Sequence, residues 1–168
     1  MSDYFYAVLP TCLGWVGVVS SNNGIRKLAL PQSSPQGAVD HIQPEASNAE
    51  LAQVRFEDLR QHLESHFCGE PTTYEQKLDL EGAPAFFVRA WEACRSIPRG
   101  KTQTYSWLAT QAGNPKAVRA AGQAMAHNPV TIIIPCHRVI GSDGSLRGFG
   151  GGLGLKQRLL ELERDIPL

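Results

Sequence analysis

The chain opens with three short runs rich in β-branched and aromatic residues, Tyr4 to Leu9, Gly14 to Val19 and Ile25 to Leu30, parted by turn residues such as Ser21-Asn22-Asn23-Gly24. Runs of that length between turns predict an antiparallel meander. The Pro/Ser/Gln-rich stretch from Pro31 to Pro44 predicts a loop. Leu51, Val54, Arg55, Leu59, His62, Leu63 and Phe67 then fall near helical spacing, which predicts a helix stopped by Gly69. Gly82-Ala83-Pro84 marks a boundary, so the expected organisation is one domain over 1–82 and another over 83–168.

Beyond that boundary the pattern turns helical. Phe86, Phe87, Ala90, Trp91, Cys94 and Ile97 form an amphipathic stripe ended by Pro98 and Gly100, with Cys94 as one of its packing residues. Tyr105 to Ala112, closed by Gly113, predicts a second helix. Asn114 as N-cap and Pro115 at the first helical position predict the start of a third. Two helices joined by Gly-Asn-Pro predict a helix-turn-helix. On the later helix Ala117, Val118, Ala121 and Met125 are expected to pack inward, and Arg119, Gly122, Gln123 and Ala126 to share another face. That small-sided face suits close approach either to a groove in DNA or to another helix. Leu155, Leu159, Leu160 and Leu162 predict a final helix. The expected fold class is α+β: a small N-terminal α/β-type domain with an antiparallel sheet, then a mainly helical C-terminal domain.

With 168 residues, 42% of them hydrophobic, the chain is able to bury a core, which argues against a disordered chain. No apolar run approaches membrane-spanning length and no leader pattern opens the chain, so a location inside the cell is expected. Net charge is zero, but the halves differ. Residues 1–88 hold 5 Lys and Arg against 11 Asp and Glu, net −6, and residues 89–168 hold 11 against 5, net +6. Such asymmetry fits a basic domain facing phosphates better than a chance spread of charge over solvated faces. Cys12, Cys68, Cys94 and Cys136 lack paired spacing, so neither a disulfide framework nor a metal site is expected. His41, His62 and His66 are expected on the surface or packed, not as metal ligands with Cys68.

The stretch richest in chemistry is Ile132-Ile133-Ile134-Pro135-Cys136-His137-Arg138-Val139-Ile140, which reads as a buried strand running into adjacent Cys, His and Arg. A neighbouring cation or proton acceptor raises the thiolate fraction of a cysteine at neutral pH. His137 is placed to take the proton through a water, and Arg138 to add positive potential. A structural cysteine beside two surface residues has the same sequence. Gly141-Ser142-Asp143-Gly144 and then Gly148-Phe149-Gly150-Gly151-Gly152 follow, a loop whose backbone is expected to come close to something. Without a Lys-Ser/Thr ending it is not a P-loop. Glu163 is a carboxylate able to orient His137, or a solvated helix residue.

Pro135-Cys136-His137-Arg138-Val139-Ile140 resembles the signature of the O6-alkylguanine-DNA alkyltransferases. The likeness runs from about Phe86 to Glu163, through Tyr105, Asn114-Pro115, Arg119, Asn128-Pro129, the glycine loop and Lys156. The first half matches mainly in layout and in Leu13-Gly14 after the first strand. The resemblance implies direct-reversal repair, in which an alkyl group passes irreversibly from O6 of guanine to Cys136 after the base is flipped out. It implies that His137 is the water-mediated base and Glu163 its orienter. Tyr105 would help to rotate the nucleotide and donate a proton towards the guanine, and Asn128 would brace the reactive segment. Arg119 would fill the space left in the stack, with Asn114, Lys116, Gly122 and Ser142 also on the DNA side. Val139, Phe149, Gly150, Thr131 and Met125 would line the substrate pocket.

The implied partner is double-stranded DNA carrying O6-alkylguanine, met in the minor groove by a monomer, with no cofactor, metal or membrane. The implied compartment is the cytoplasm, or the nucleus in a eukaryote. Phe149 stands where many members have tyrosine, Gly150 where some have a small side chain, and Thr131 where some have proline. A roomier pocket that accepts larger adducts is the expectation. The alternative is an alkyltransferase-like protein that binds the lesion without transferring it, but such proteins lack the acceptor cysteine. A Cys-His hydrolase would need an oxyanion hole that the sequence does not display, and a transcription regulator would need a further module.

Overall fold

The computed structural model describes residues 3–164. The chain divides into two compact units, Met1–Asp79 with Pro129–Thr131, and Leu80–Asn128 with Ile132–Leu168. The described fold is α+β, with a four-stranded sheet in the first unit and most of the helix in the second.

In the first unit β1 (Tyr4–Thr11), β2 (Gly14–Ser21) and β3 (Ile25–Leu28) form the expected meander, and β4 (Glu50–Leu51) adds a short parallel edge, giving the order β3-β2-β1-β4. β2 is buried from Val16 to Ser21 without alternation, because both of its faces are covered. The stretch read as a loop contains a helix, α1 (Pro35–His41). Its start is a cap: Ser34 Oγ accepts from the Gly37 N–H, with Pro35 at the first position. Ala38 and Ile42 are fully buried, and a Cβ on Gly17 of β2 would sit 2.6 Å from the Ala38 carbonyl oxygen, so only glycine lets α1 lie this close.

The helix expected from Leu51 is shorter than the spacing implies. Leu51 belongs to β4, the Ala52 N–H donates to Tyr6 O, Gln53–Phe56 is a 3-10 turn, and α2 runs only over Glu57–Phe67. Sheet pairing won over helical periodicity at this end. Leu51 and Val54 are correspondingly exposed, and Leu59, Leu63 and Phe67 form the buried stripe. The sheet is extended later in the chain by Pro129–Thr131: Leu28 N–H donates to Pro129 O and Thr131 N–H to Leu28 O.

The second unit begins with α3 (Ala85–Arg95), whose Ala90, Trp91 and Cys94 are buried as expected. α4 (Tyr105–Gln111) and α5 (Val118–Ala126) pack on each other and on α3, where the Trp91 Nε1–H donates to Ala124 O at 2.8 Å. The expected start of α5 at Asn114-Pro115 lies a turn too early. Asn114 Oδ1 accepts from the Lys116 N–H, closing a local turn that ends before the helix begins at Val118. Ala121 and Met125 face inward as expected, joined by Ala124. Val118 does not, being 37% exposed.

β5 (Gln103–Thr104) pairs in parallel with β6 (Val139–Ile140), and α6 (Leu153–Leu162) closes the described chain. No helix among the described residues is long and apolar enough to cross a membrane.

Candidate thiol site and adjoining groove

Ile132-Ile133-Ile134 is not the strand its composition predicts. Ile132 is left-handed at φ 70°, a conformation that costs a β-branched residue about 1–2 kcal/mol and that here turns the chain while its side chain stays buried. Cys136–Arg138 then forms a 3-10 turn leading into β6. A turn, held at both ends, therefore presents Cys136. Ahead of it the Asn128 Nδ2–H donates to Ile134 O at 2.8 Å. Beyond it β6 is fixed to β5, whose Thr104 caps α4 by accepting from the Trp107 N–H at 3.1 Å. The same pairing brings Tyr105, first residue of α4, beside the reactive turn.

α6 supplies the other wall. Lys156, Leu159 and Glu163 recur at i, i+3 and i+7, and all three are buried. The Glu163 carboxylate is shared: Oε1 pairs with His137 Nε2, and Oε2 accepts from Arg138 Nε at 2.8 Å. Arg138 Nη1 also donates to Ile97 O at 2.7 Å. The sequence left Glu163 open between orienter and solvated residue; the side chain is buried, with its carboxylate against His137 and Arg138. Arg138 is committed to Glu163, so it does not serve the thiol in the way its position implied.

Cys136 is 6% exposed. Burial pushes its thiol above the ordinary value, while an Asn128 hydrogen bond, the Lys156 charge and two backbone N–H groups pull the other way without reversing it. The expected gain in thiolate at neutral pH is thus overturned, because desolvation outweighs the local donors. Burial likewise raises the Tyr105 phenol, with the Cys136 charge second, so the hydroxyl keeps its proton at neutral pH. Lys156 was passed over by the sequence reading except as part of the resemblance. Its ammonium donates to Val139 O at 2.7 Å and Arg147 O at 3.1 Å, and it lies about 6 Å from the Tyr105 and Phe149 ring centres. Burial lowers its pKa. A lysine inside a Leu-rich helix pattern was the available signal.

A groove of about 490 Å³ is lined by Tyr105, Arg119, Gly122, Gln123, Ser142 and Arg147, among others. It brings together Arg119, Gly122 and Ser142, expected to face DNA, with Tyr105. Asn114 and Lys116 are exposed on the preceding turn and do not line it. Of the expected pocket residues, Phe149 stands near Lys156, Gly150 is exposed and Val139 is fully buried. Met125 faces the core side of α5, away from the groove lining. Thr131 belongs to the first unit, its hydroxyl donating to Leu28 O at 2.7 Å. Within the chain itself the glycine loop is open: a Cβ at Gly148 or Gly152 would meet nothing within 4 Å.

Fold and site together define a two-unit α+β protein whose helical unit carries a cysteine, histidine and carboxylate centre beside a groove. The model of the 6-O-methylguanine DNA methyltransferase DNA-binding domain matches residues 85–165. The methylated-DNA--protein-cysteine methyltransferase of Methanosarcina acetivorans is 36% identical over 95% of this chain and 97% of its own length. The protein of that name from Mycobacterium tuberculosis is 48% identical over 66% of each chain, just under two thirds. The crystal structure of the Mycobacterium tuberculosis O6-methylguanine methyltransferase superposes with a TM-score of 0.80 at 34% identity, covering 96% of this chain and 93% of that one. The same enzyme in complex with DNA gives 0.80 at 36% identity, covering 95% and 92%. The chain belongs to the methylated-DNA--protein-cysteine methyltransferase family.

Proposed function

We propose that the protein repairs O6-alkylguanine in double-stranded DNA by moving the alkyl group onto Cys136. The observation that carries this reading is the buried pairing of His137 with Glu163, one residue from the Cys136 thiol. A fixed sulfur has no access to the O6 carbon inside a duplex, so the nucleotide is swung out, at a cost of roughly a few kcal/mol. Arg119, exposed on α5 in the groove, fills the gap in the stack, and α5 enters the minor groove with its small-sided face. Asn114 and Lys116 meet the backbone from the preceding turn, and Gly122 and Ser142 from the groove itself.

His137, oriented by Glu163, takes the thiol proton through a water. The sulfur attacks the alkyl carbon, an S–C bond forms and the C–O6 bond breaks, its electron pair passing into the guanine ring. Tyr105 donates a proton towards that ring, so a neutral base departs. Asn128 braces the turn, the carbonyls of Cys136 and Val139 read the guanine amine, and the Phe149-Gly150 segment covers the base. The product thioether resists hydrolysis, so each molecule acts once, as a monomer, and the transfer itself calls on no cofactor or metal. Its place is with the DNA, in the cytoplasm or, in a eukaryote, the nucleus. The presence of Cys136 argues against a lesion-binding role without transfer.

Intact mass after incubation with a duplex carrying one O6-methylguanine tests this. The expected result is a gain of one methyl on Cys136, saturating at one per molecule and absent in Cys136→Ser. Binding without mass gain would leave a lesion-recognition protein.

A further inference from the structure

Cys12 and Cys68, 56 positions apart and unpaired by any sequence spacing, meet in the first unit. Cys12 sits in the turn between β1 and β2. Cys68 is the C-cap of α2, and Glu64 stands one helical turn before it. The two sulfurs lie 3.9 Å apart, and Glu64 Oε1 lies 3.9 Å from Cys68 Sγ. Glu64 Oε2 accepts from the Cys12 N–H at 3.0 Å, which fixes the carboxylate and turns Oε1 towards the thiols. One ligand atom from each of the three residues falls within 4.8 Å of the others, and both cysteines are exposed.

We propose that Cys12, Glu64 and Cys68 bind a thiophilic divalent cation of the zinc type, through two thiolates, one carboxylate oxygen and one water. A tetrahedron drawn with metal–sulfur bonds of about 2.3 Å has an edge of roughly 3.8 Å, so the sulfurs already stand at the separation that two zinc ligands need. Soft thiolates with one carboxylate select such a cation over magnesium or calcium. A disulfide would instead draw the sulfurs to about 2.05 Å and leave the oriented carboxylate without a part. On binding, both thiols lose their protons to solvent. Two metal–sulfur bonds and one metal–oxygen bond form as the six-coordinate hydrated ion sheds all but one of its waters, with no change of oxidation state. The cation would clip the end of α2 to the β1–β2 turn.

Zinc titration of the full chain in tris(2-carboxyethyl)phosphine, against a chromophoric zinc indicator, tests the site. One equivalent should bind, raise the melting temperature, and be retained in Cys136→Ser. Cobalt should give a sulfur-to-cobalt charge-transfer band in the near ultraviolet. Cys12→Ser and Cys68→Ser should each lose the band and the thermal gain, and Glu64→Gln, which leaves both thiols in place, should weaken binding about tenfold or more. Circular dichroism confirms that the variants are folded. Zinc uptake that is absent from the folded wild type, unchanged in the Cys12 and Cys68 variants, or lost in Cys136→Ser would overturn the proposal.

Discussion

Lys156 donates from inside α6 to the carbonyl of Val139 at 2.7 Å, three residues beyond Cys136. Its second bond, to Arg147 O, ties the same ammonium to the start of the glycine loop. One buried cation thus sets the positions of two backbone segments that the proposed base-binding reading uses.

Lys156→Met keeps the apolar stem and removes both bonds. Leaving the buried Val139 carbonyl without its donor should cost about 1–3 kcal/mol. Thermal unfolding should show a lower melting point, and single-turnover methyl transfer should slow, because the charge that favours the Cys136 thiolate is gone. An unchanged transfer rate in a folded variant would remove Lys156 from the mechanism.

Glu163→Gln preserves shape but takes the charge from the pair with His137 and Arg138. Breaking such a buried pair should destabilise the protein by about 3 kcal/mol, and loss of the orienting carboxylate should slow transfer about 10- to 100-fold. Denaturant unfolding and rapid-quench transfer measure the two effects separately.

The Cys136 thiol is held above the ordinary value by burial. The folded state therefore keeps this proton more tightly than the unfolded chain. The stability gained by burying the neutral thiol is full below the unfolded value of about 8.5 and is lost as pH rises through the folded value. Transfer should accelerate with pH over the same range, by up to about tenfold per unit, as thiolate forms. A rate that is flat from neutral to alkaline pH would show that the thiolate is not the limiting species.

Arg119→Ala removes an exposed side chain, so stability should move by no more than about 0.5 kcal/mol. Repair of duplex DNA should slow, whereas reaction with free O6-benzylguanine base should not, since no stack needs filling. The salt dependence of duplex binding, shallow for a chain of zero net charge, should lose about one unit of slope if Arg119 meets a phosphate and keep it if the side chain only fills the stack. Equal loss with both substrates would place Arg119 in the chemistry instead.

Periodicity carried α3, α4 and α6 into view because their buried stripes recur with the helical repeat. It failed where local hydrogen bonds or tertiary pairing overrode composition. Ser34-Pro35 writes a helix start inside a loop-like stretch, and Asn114 spends its side chain on a turn before α5. Ile132 hides a left-handed turn in a run that reads as strand. The Cys136, His137 and Glu163 constellation was legible through adjacency and resemblance, since two of the three are neighbours in sequence. Cys12 and Cys68 were not, because only the packing of α2 on β1 brings them together.

Pro129–Thr131 completes the first unit's sheet only five residues before Cys136. The two units are therefore threaded, not strung in series. A cut at residue 82 would strip the N-terminal fragment of the partner for Leu28 and leave the C-terminal fragment with an orphaned strand. Neither half is an exchangeable cassette, and chimeras that swap the N-terminal half must carry this tripeptide along or accept a frayed sheet edge immediately upstream of the reactive cysteine.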